Sequence, residues 1–242
     1  MQVRRGVFRA VRAALLLAAL TFGAGSVRAD ETAASGVVPP SPATPIASHP
    51  ASWIDWNGDN FFGSCDGDCS LAILGGREIR TGLSDILGPK ISPADWKWGP
   101  SGFVSGIFSR RLVTFWNALE IDPEMGVGKR FGADAKAAEF WGAVGIYWVA
   151  FPWSDYVGTK VGFAEGFDIA TQIDAGERIR SLPGKTGSVF LNYFSPEIDF
   201  SVPQAPSFEL VFRINHRSGI YGLINHVNGG IQYGEAGLRV HF

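Results

Sequence analysis

From Ser207 the chain reads Ser-Phe-Glu-Leu-Val-Phe-Arg-Ile-Asn-His-Arg-Ser. Even positions Phe208, Leu210, Phe212 and Ile214 are apolar, and odd positions Ser207, Glu209, Arg213 and Asn215 are polar, with Val211 the exception. A period of two predicts a strand whose two faces meet different surroundings. His216 and Ser218 continue the even, apolar face, where polar groups break the pattern, and such breaks mark functional positions. In the closing segment Ala236, Leu238, Val240 and Phe242 are even and apolar, while Tyr233, Glu235, Arg239 and His241 are odd. Followed backwards, the even face reaches Gly234 and then Gln232. If the two segments are neighbouring antiparallel strands, His216, Ser218 and Gln232 meet on one surface. A basic nitrogen, a hydroxyl and an amide acceptor are the parts of a hydrolytic triad.

The same alternation runs earlier in the chain. Over 118–131, Leu119, Ile121, Met125 and Val127 alternate with Glu120, Asp122, Glu124, Gly126 and Gly128, an apolar outside with a polar or tight inside. Eight strands are expected, over 70–80, 102–114, 118–131, 138–149, 157–171, 187–200, 207–218 and 232–242. Pro196 predicts a bulge in the sixth. Phe140, Trp141, Tyr147 and Trp148 are read as interfacial aromatics. The fold class expected is all-β, an eight-stranded antiparallel transmembrane β-barrel. High aromatic content (13%), 31 glycines and no later run of roughly 18 to 20 apolar residues agree with it. A soluble β-sandwich is the alternative.

Residues 1–29 read as a secretory signal: Arg4, Arg5, Arg9 and Arg12 precede an apolar run, and Val27-Arg28-Ala29 suits cleavage before Asp30. Residues 30–69 form a leader rich in Pro, Ala and Ser, with an aromatic surface turn over 53–60, and the barrel occupies 70–242. Cys65 and Cys69, in Cys-Asp-Gly-Asp-Cys, are expected to form a disulfide in an oxidising compartment. No His follows at ligand spacing, so no metal and no cofactor is expected. A net charge of −2 without basic clustering gives no case for nucleic acid.

An even strand count puts both barrel ends on one side of the membrane, with the longer loops on the other. His216, Ser218 and Gln232 then lie at the external end, facing lipid. In the outer membrane of a Gram-negative bacterium that leaflet is lipopolysaccharide, and an esterase there meets the acyl esters of lipid A.

At these residues the chain resembles the PagL-type lipid A 3-O-deacylases and their acyloxyacyl hydrolase relatives. The resemblance rests on His216-Arg217-Ser218, on Gly219-Ile220-Tyr221-Gly222-Leu223, on Gly229-Gly230 and on the closing Gly237-Leu238-Arg239-Val240-His241-Phe242. It implies an eight-stranded outer-membrane barrel with a His-x-Ser pair on strand seven and a third residue at the start of strand eight. It implies a carboxylic ester hydrolase with His216 as base, Ser218 as nucleophile and Gln232 as orienting residue. Phe242 resembles the terminal assembly signal of such barrels.

Two positions depart from the family pattern. Gln232 stands where the family usually has Glu. An amide oxygen can fix the histidine tautomer, but loss of the carboxylate costs up to ~10⁴ in rate in a serine protease triad. Glu in place of Gln232 is therefore expected to preserve or raise the rate. Gly219 stands where the family usually has Asn, so its backbone N–H is the candidate oxyanion donor. Arg217 is expected to face inward and pair with Glu209, Glu235 or Glu124. Arg178, Arg180 and Lys185 are read as an ordinary solvated loop, and His226 as exposed. Two other readings stand beside the esterase: a non-catalytic structural or binding barrel, with His216 serving the headgroup belt, and a small-solute pore, which eight strands disfavour.

Overall fold

The computed structural model describes residues 53–57, 62–88, 92–132, 135–179 and 187–242. The signal segment and most of the leader lie outside the described residues. Eight long strands follow one another: β1 (Cys69–Ile79), β2 (Trp98–Arg110), β3 (Leu119–Phe131), β4 (Ala138–Trp148), β5 (Gly158–Ala170), β6 (Phe190–Ser201), β7 (Phe208–Ser218) and β8 (Gly230–His241). Each pairs antiparallel with the next, and β8 pairs with β1. The sheet is therefore a closed barrel with no free barrel edge.

The pleat sorts the side chains. Met125, Val127, Phe140, Phe167, Phe208, Leu210 and Leu238 face outward and are exposed. A closed barrel with an apolar outer band is a transmembrane β-barrel. The lumen is polar and filled. Arg213 contacts Glu124 at 2.9 Å and Glu197 at 3.0 Å. Arg239 joins Glu197, Asp199 and Glu209, and Lys160 joins Glu120 and Asp122. Strands whose inner face is charged need such pairing, because an isolated buried charge is costly.

Several details differ from the sequence reading. Trp141 and Tyr147 are buried in the lumen, and only Phe140 and Trp148 face outward, since neighbours in a strand point to opposite faces. Pro196 interrupts pairing with β7 but leaves the register unshifted. The irregularity lies instead at Arg77–Ile79 between β1 and β2. Residues 113–115 leave the second strand to form a short ribbon, pairing with Ile54–Trp56 on one side and β3 on the other. The segment read as an aromatic turn is thus partly a strand. Cys65 and Cys69 are disulfide-bonded, with Cα atoms 5.1 Å apart.

The connections at the two ends are unequal. At the end holding the β7–β8 turn, the chain crosses through 80–97, 132–137, 171–189 and 219–229. At the other end it crosses through 111–118, 149–157 and 202–207. The long-loop end also carries a plug. Helix α1 (Leu83–Ile86) lies in the first long connection and α2 (Ala175–Ile179) in the third. Glu177 of α2 is fully buried and accepts from Arg130 and Arg217. Arg217 also contacts Asp168 at 2.7 Å. Arg217 does face inward, but its partners are Asp168 and Glu177, because α2 folds back into the barrel mouth. Asp174, just before α2, is buried, which disfavours its charge, yet donors from Gln172, Lys136 and Ala137 hold it below the ordinary carboxylate value. Glu177 is pushed up, first by burial.

Candidate active site on the lipid-facing wall

On β7 the even residues face outward, and on β8 the even residues do the same. The register sets Gln232 directly opposite His216 and Gly230 opposite Ser218. His216 Nδ1 and Gln232 Oε1 are 2.9 Å apart. Ser218 lies two residues further along the same face as His216, roughly 6.6 Å away along the strand, a gap that side chains can bridge. His216 and Ser218 are half-buried, whereas Gln232 is only 2% exposed.

Gln232 is covered by the connection after β1. Its Nε2 donates to the backbone carbonyl of Thr81. Thr81 is itself pinned, since its hydroxyl accepts from the Lys97 N–H at 2.8 Å and the Arg80 N–H donates to Lys97 O at 2.6 Å. A carbonyl can only accept, so the amide must turn its nitrogen to Thr81 and its oxygen to His216. The oxygen in turn can only accept, so Nδ1 carries the proton. In neutral imidazole the lone pair then sits on Nε2, the form a general base needs. The tautomer is assigned from the hydrogen-bond network.

Gly219 follows Ser218 and opens the β7–β8 connection. Its N–H donates to Gly229 O at 3.3 Å, a long bond. A Cβ at this position would lie 1.9 Å from Val227 O, so no side chain fits there. The Asn that the family pattern carries is therefore excluded by the backbone itself. Asn225 ties this connection to β6, donating to Phe190 O at 2.7 Å. His226 is exposed, as is Arg178, while Arg180 and Lys185 lie outside the described residues.

Below the pair, on the same columns of the wall, lies an apolar groove of about 960 Å³. Phe212 and Ile214 continue the column of His216, and Ala236 continues that of Gln232. Leu87, Trp96 and Trp98, from the connection after β1 and the start of β2, complete it. Its size is that of a small-molecule site. Its lining stops at Ile214 and Gly234, one outward position short of His216 and Gln232 on their strands.

Two further polar residues face outward beside Ser218, and the sequence reading missed both. Asn192 of β6 is the register partner of Ser218 on its other side. Its Nδ2 donates to Gly166 O at 3.1 Å and to Glu165 Oε1. The signal was present. Glu165 interrupts the outward column Val161, Phe163, Phe167, Ile169, and Asn192 interrupts Phe190, Phe194, Ile198, Phe200. Among the described residues no group of three or more His, Cys, Asp or Glu side chains is placed to hold a metal ion.

No model of a known protein family matches this chain, and no curated protein sequence matches it. Among solved structures it is similar to Neisserial surface protein A (TM-score 0.43, 15% identity, 73% of this chain and 97% of that one). It is also similar to the outer membrane enzyme PagL (TM-score 0.42, 11% identity, 71% and 98%). A third is Ail, the attachment invasion locus protein of Yersinia pestis (TM-score 0.35, 12% identity, 72% and 98%). Likenesses this distant carry nothing about function, and the barrel stands on its own strand pairing.

Proposed function

We propose that this chain is an outer-membrane serine esterase that removes an ester-linked acyl chain from lipid A. The observation that carries the reading is the 2.9 Å bond between His216 Nδ1 and Gln232 Oε1 on the lipid-facing wall, with Ser218 on the same face. The apolar groove beneath the pair supports a long acyl chain as the group bound. The long connections at the site's end support an external placement, facing lipopolysaccharide in the outer leaflet of a Gram-negative outer membrane. Residues 1–29 would be removed on export.

In this reading the Ser218 hydroxyl adds to the ester carbonyl while its proton passes to His216 Nε2. The electron pair of the carbonyl moves to oxygen. Collapse of the tetrahedral state expels the sugar oxygen, which takes the proton from His216 and leaves an acyl-enzyme. Water, deprotonated by the same imidazole, then releases the fatty acid. Gln232 holds the ring and its tautomer without supplying charge. Gly219 N–H serves the oxyanion only by exchanging its long bond to Gly229 O.

A second reading is a non-catalytic barrel that binds a partner or orders the membrane. It is favoured by that same engaged Gly219 N–H and by the amide of Gln232, which meets His216 Nδ1 without supplying charge. Purified protein in detergent, given lipopolysaccharide, separates the two. The esterase releases fatty acid, and Ser218→Ala and His216→Ala release none. Equal release by wild type and Ser218→Ala contradicts it.

A further inference from the structure

The outward faces of the eight strands contain a single acidic residue, Glu165. Its column neighbours Val161, Phe163, Phe167 and Ile169 are all exposed to the lipid side. A carboxyl group in such a column is unfavourable and marks a functional position. Glu165 accepts from Asn192 Nδ2, and Asn192 is itself only 6% exposed. Asn192 lies directly across from Ser218 in the ladder. Residues so paired have Cβ atoms about 4.5–5.5 Å apart, within reach of one another's side-chain ligands. Four adjacent strands thus each break their apolar column at one place, and the breaks meet: Glu165, Asn192, then His216 with Ser218, then Gln232.

The esterase needs a donor where negative charge develops, and the backbone donor next to Ser218 is already occupied. We infer that Asn192 donates from its side-chain amide to the oxyanion formed at Ser218, and that Glu165 is the positioning residue that holds this amide. The inference rests on the esterase reading above. Before substrate binds, the two N–H groups of Asn192 point at Glu165 and at Gly166 O. When Ser218 Oγ bonds to the ester carbon, the carbonyl oxygen becomes anionic. It is a stronger acceptor than the neutral Gly166 carbonyl, since charge-assisted bonds are roughly twice as strong. One N–H transfers its hydrogen bond from Gly166 to the oxyanion, and Glu165 keeps the other. No proton leaves Asn192. The donor is engaged most strongly in the transition state, the condition for raising kcat.

The test uses the full-length protein, refolded in detergent, with purified lipopolysaccharide as substrate and a fluorophosphonate as probe of Ser218. The phosphoryl oxygen of the probe occupies the position of the oxyanion. Asn192→Ala should lower kcat by about 10² to 10³, with little change in KM, and should slow Ser218 labelling to a similar extent. Glu165→Ala should lower kcat less. Because removing Asn192 strands Glu165 on the lipid face, the double variant Asn192→Ala with Glu165→Ala guards against misfolding. It should be no slower than Asn192→Ala alone. If wild type is active and Ser218→Ala is not, but Asn192→Ala keeps wild-type kcat and labelling rate, the inference is overturned and the esterase stands. A rise in KM at constant kcat overturns it too, making Asn192 a binding contact. An inactive, correctly folded wild type overturns both readings together.

Discussion

The lumen and the outer wall are made by the same eight strands, yet polar residues serve different ends in the two. Inside, Arg213, Arg239, Lys160, Arg130 and Arg217 each meet carboxylates, and the groups are almost fully buried. Their pairing replaces the apolar core a soluble sandwich would have. Outside, polar residues are few, and near Ser218 they gather across four neighbouring strands. Charge inside this barrel is thus a packing solution, and in the proposal above the polarity on its lipid face serves chemistry.

Substitutions on the two surfaces should therefore separate activity from stability. Ser218→Ala and His216→Ala are expected to lower fatty-acid release by about 10⁴-fold or more. Ser218→Ala should leave stability within about 0.5 kcal/mol in urea unfolding from micelles, whereas His216→Ala strands the buried Gln232 oxygen and should cost about 1–3 kcal/mol. Arg213→Ala should behave the other way. It leaves Glu124 without Arg213 and Glu197 with Arg239 alone, and loss of one partner of a buried pair costs about 3–5 kcal/mol. Molecules that do fold should retain the turnover of wild type.

Gln232 lies between these extremes, since it is on the outer wall yet buried under the connection after β1. The sequence alone suggests that Glu at this position preserves or raises the rate. The Thr81 carbonyl changes that expectation, because a carboxylate has no hydrogen to donate to it. Gln232→Glu should cost about 1–3 kcal/mol of stability, the penalty for an unsatisfied buried acceptor, and bring no gain in turnover. A faster, equally stable variant would show that Thr81 does not set the amide.

Asp174, in the plug, should give the smallest effect. Its folded-state value lies below the ordinary carboxylate value, so its contribution is present above about pH 3.9 and fades as pH falls through the folded value. Asp174→Asn should lose about 1 kcal/mol at neutral pH. The gap to wild type should close on acidification, as measured by unfolding at a series of pH values.

Much of this was legible in a single sequence. Alternation located the eight strands, and parity placed His216, Ser218 and Gln232 on one face, because a strand's period is two whatever it packs against. The same period of two sets Glu165 and Asn192 on outward columns that are otherwise apolar, so their signal is also present in the sequence. What pattern cannot supply is contact between distant parts of the chain. Thr81 and Gln232 are brought together only when β1 closes on β8, and Trp96 and Trp98 reach the wall only through the fold of 80–97. Arg217 was placed inward by parity, but its partner Glu177 comes from α2, where no strand register applies. The ribbon of 54–56 with 113–115 is likewise too short to carry a periodic signal.

The central claim is that the polar interruption of the lipid face is an esterase site, and the mass of lipid A tests it most directly. Lipid A should be extracted from cells of a Gram-negative host expressing either wild type or Ser218→Ala, each confirmed as folded in the outer membrane. The account predicts a lipid A species lighter by one ester-linked acyl chain in the wild-type cells, absent with Ser218→Ala. Identical lipid A masses in the two would contradict it and leave the non-catalytic barrel in its place.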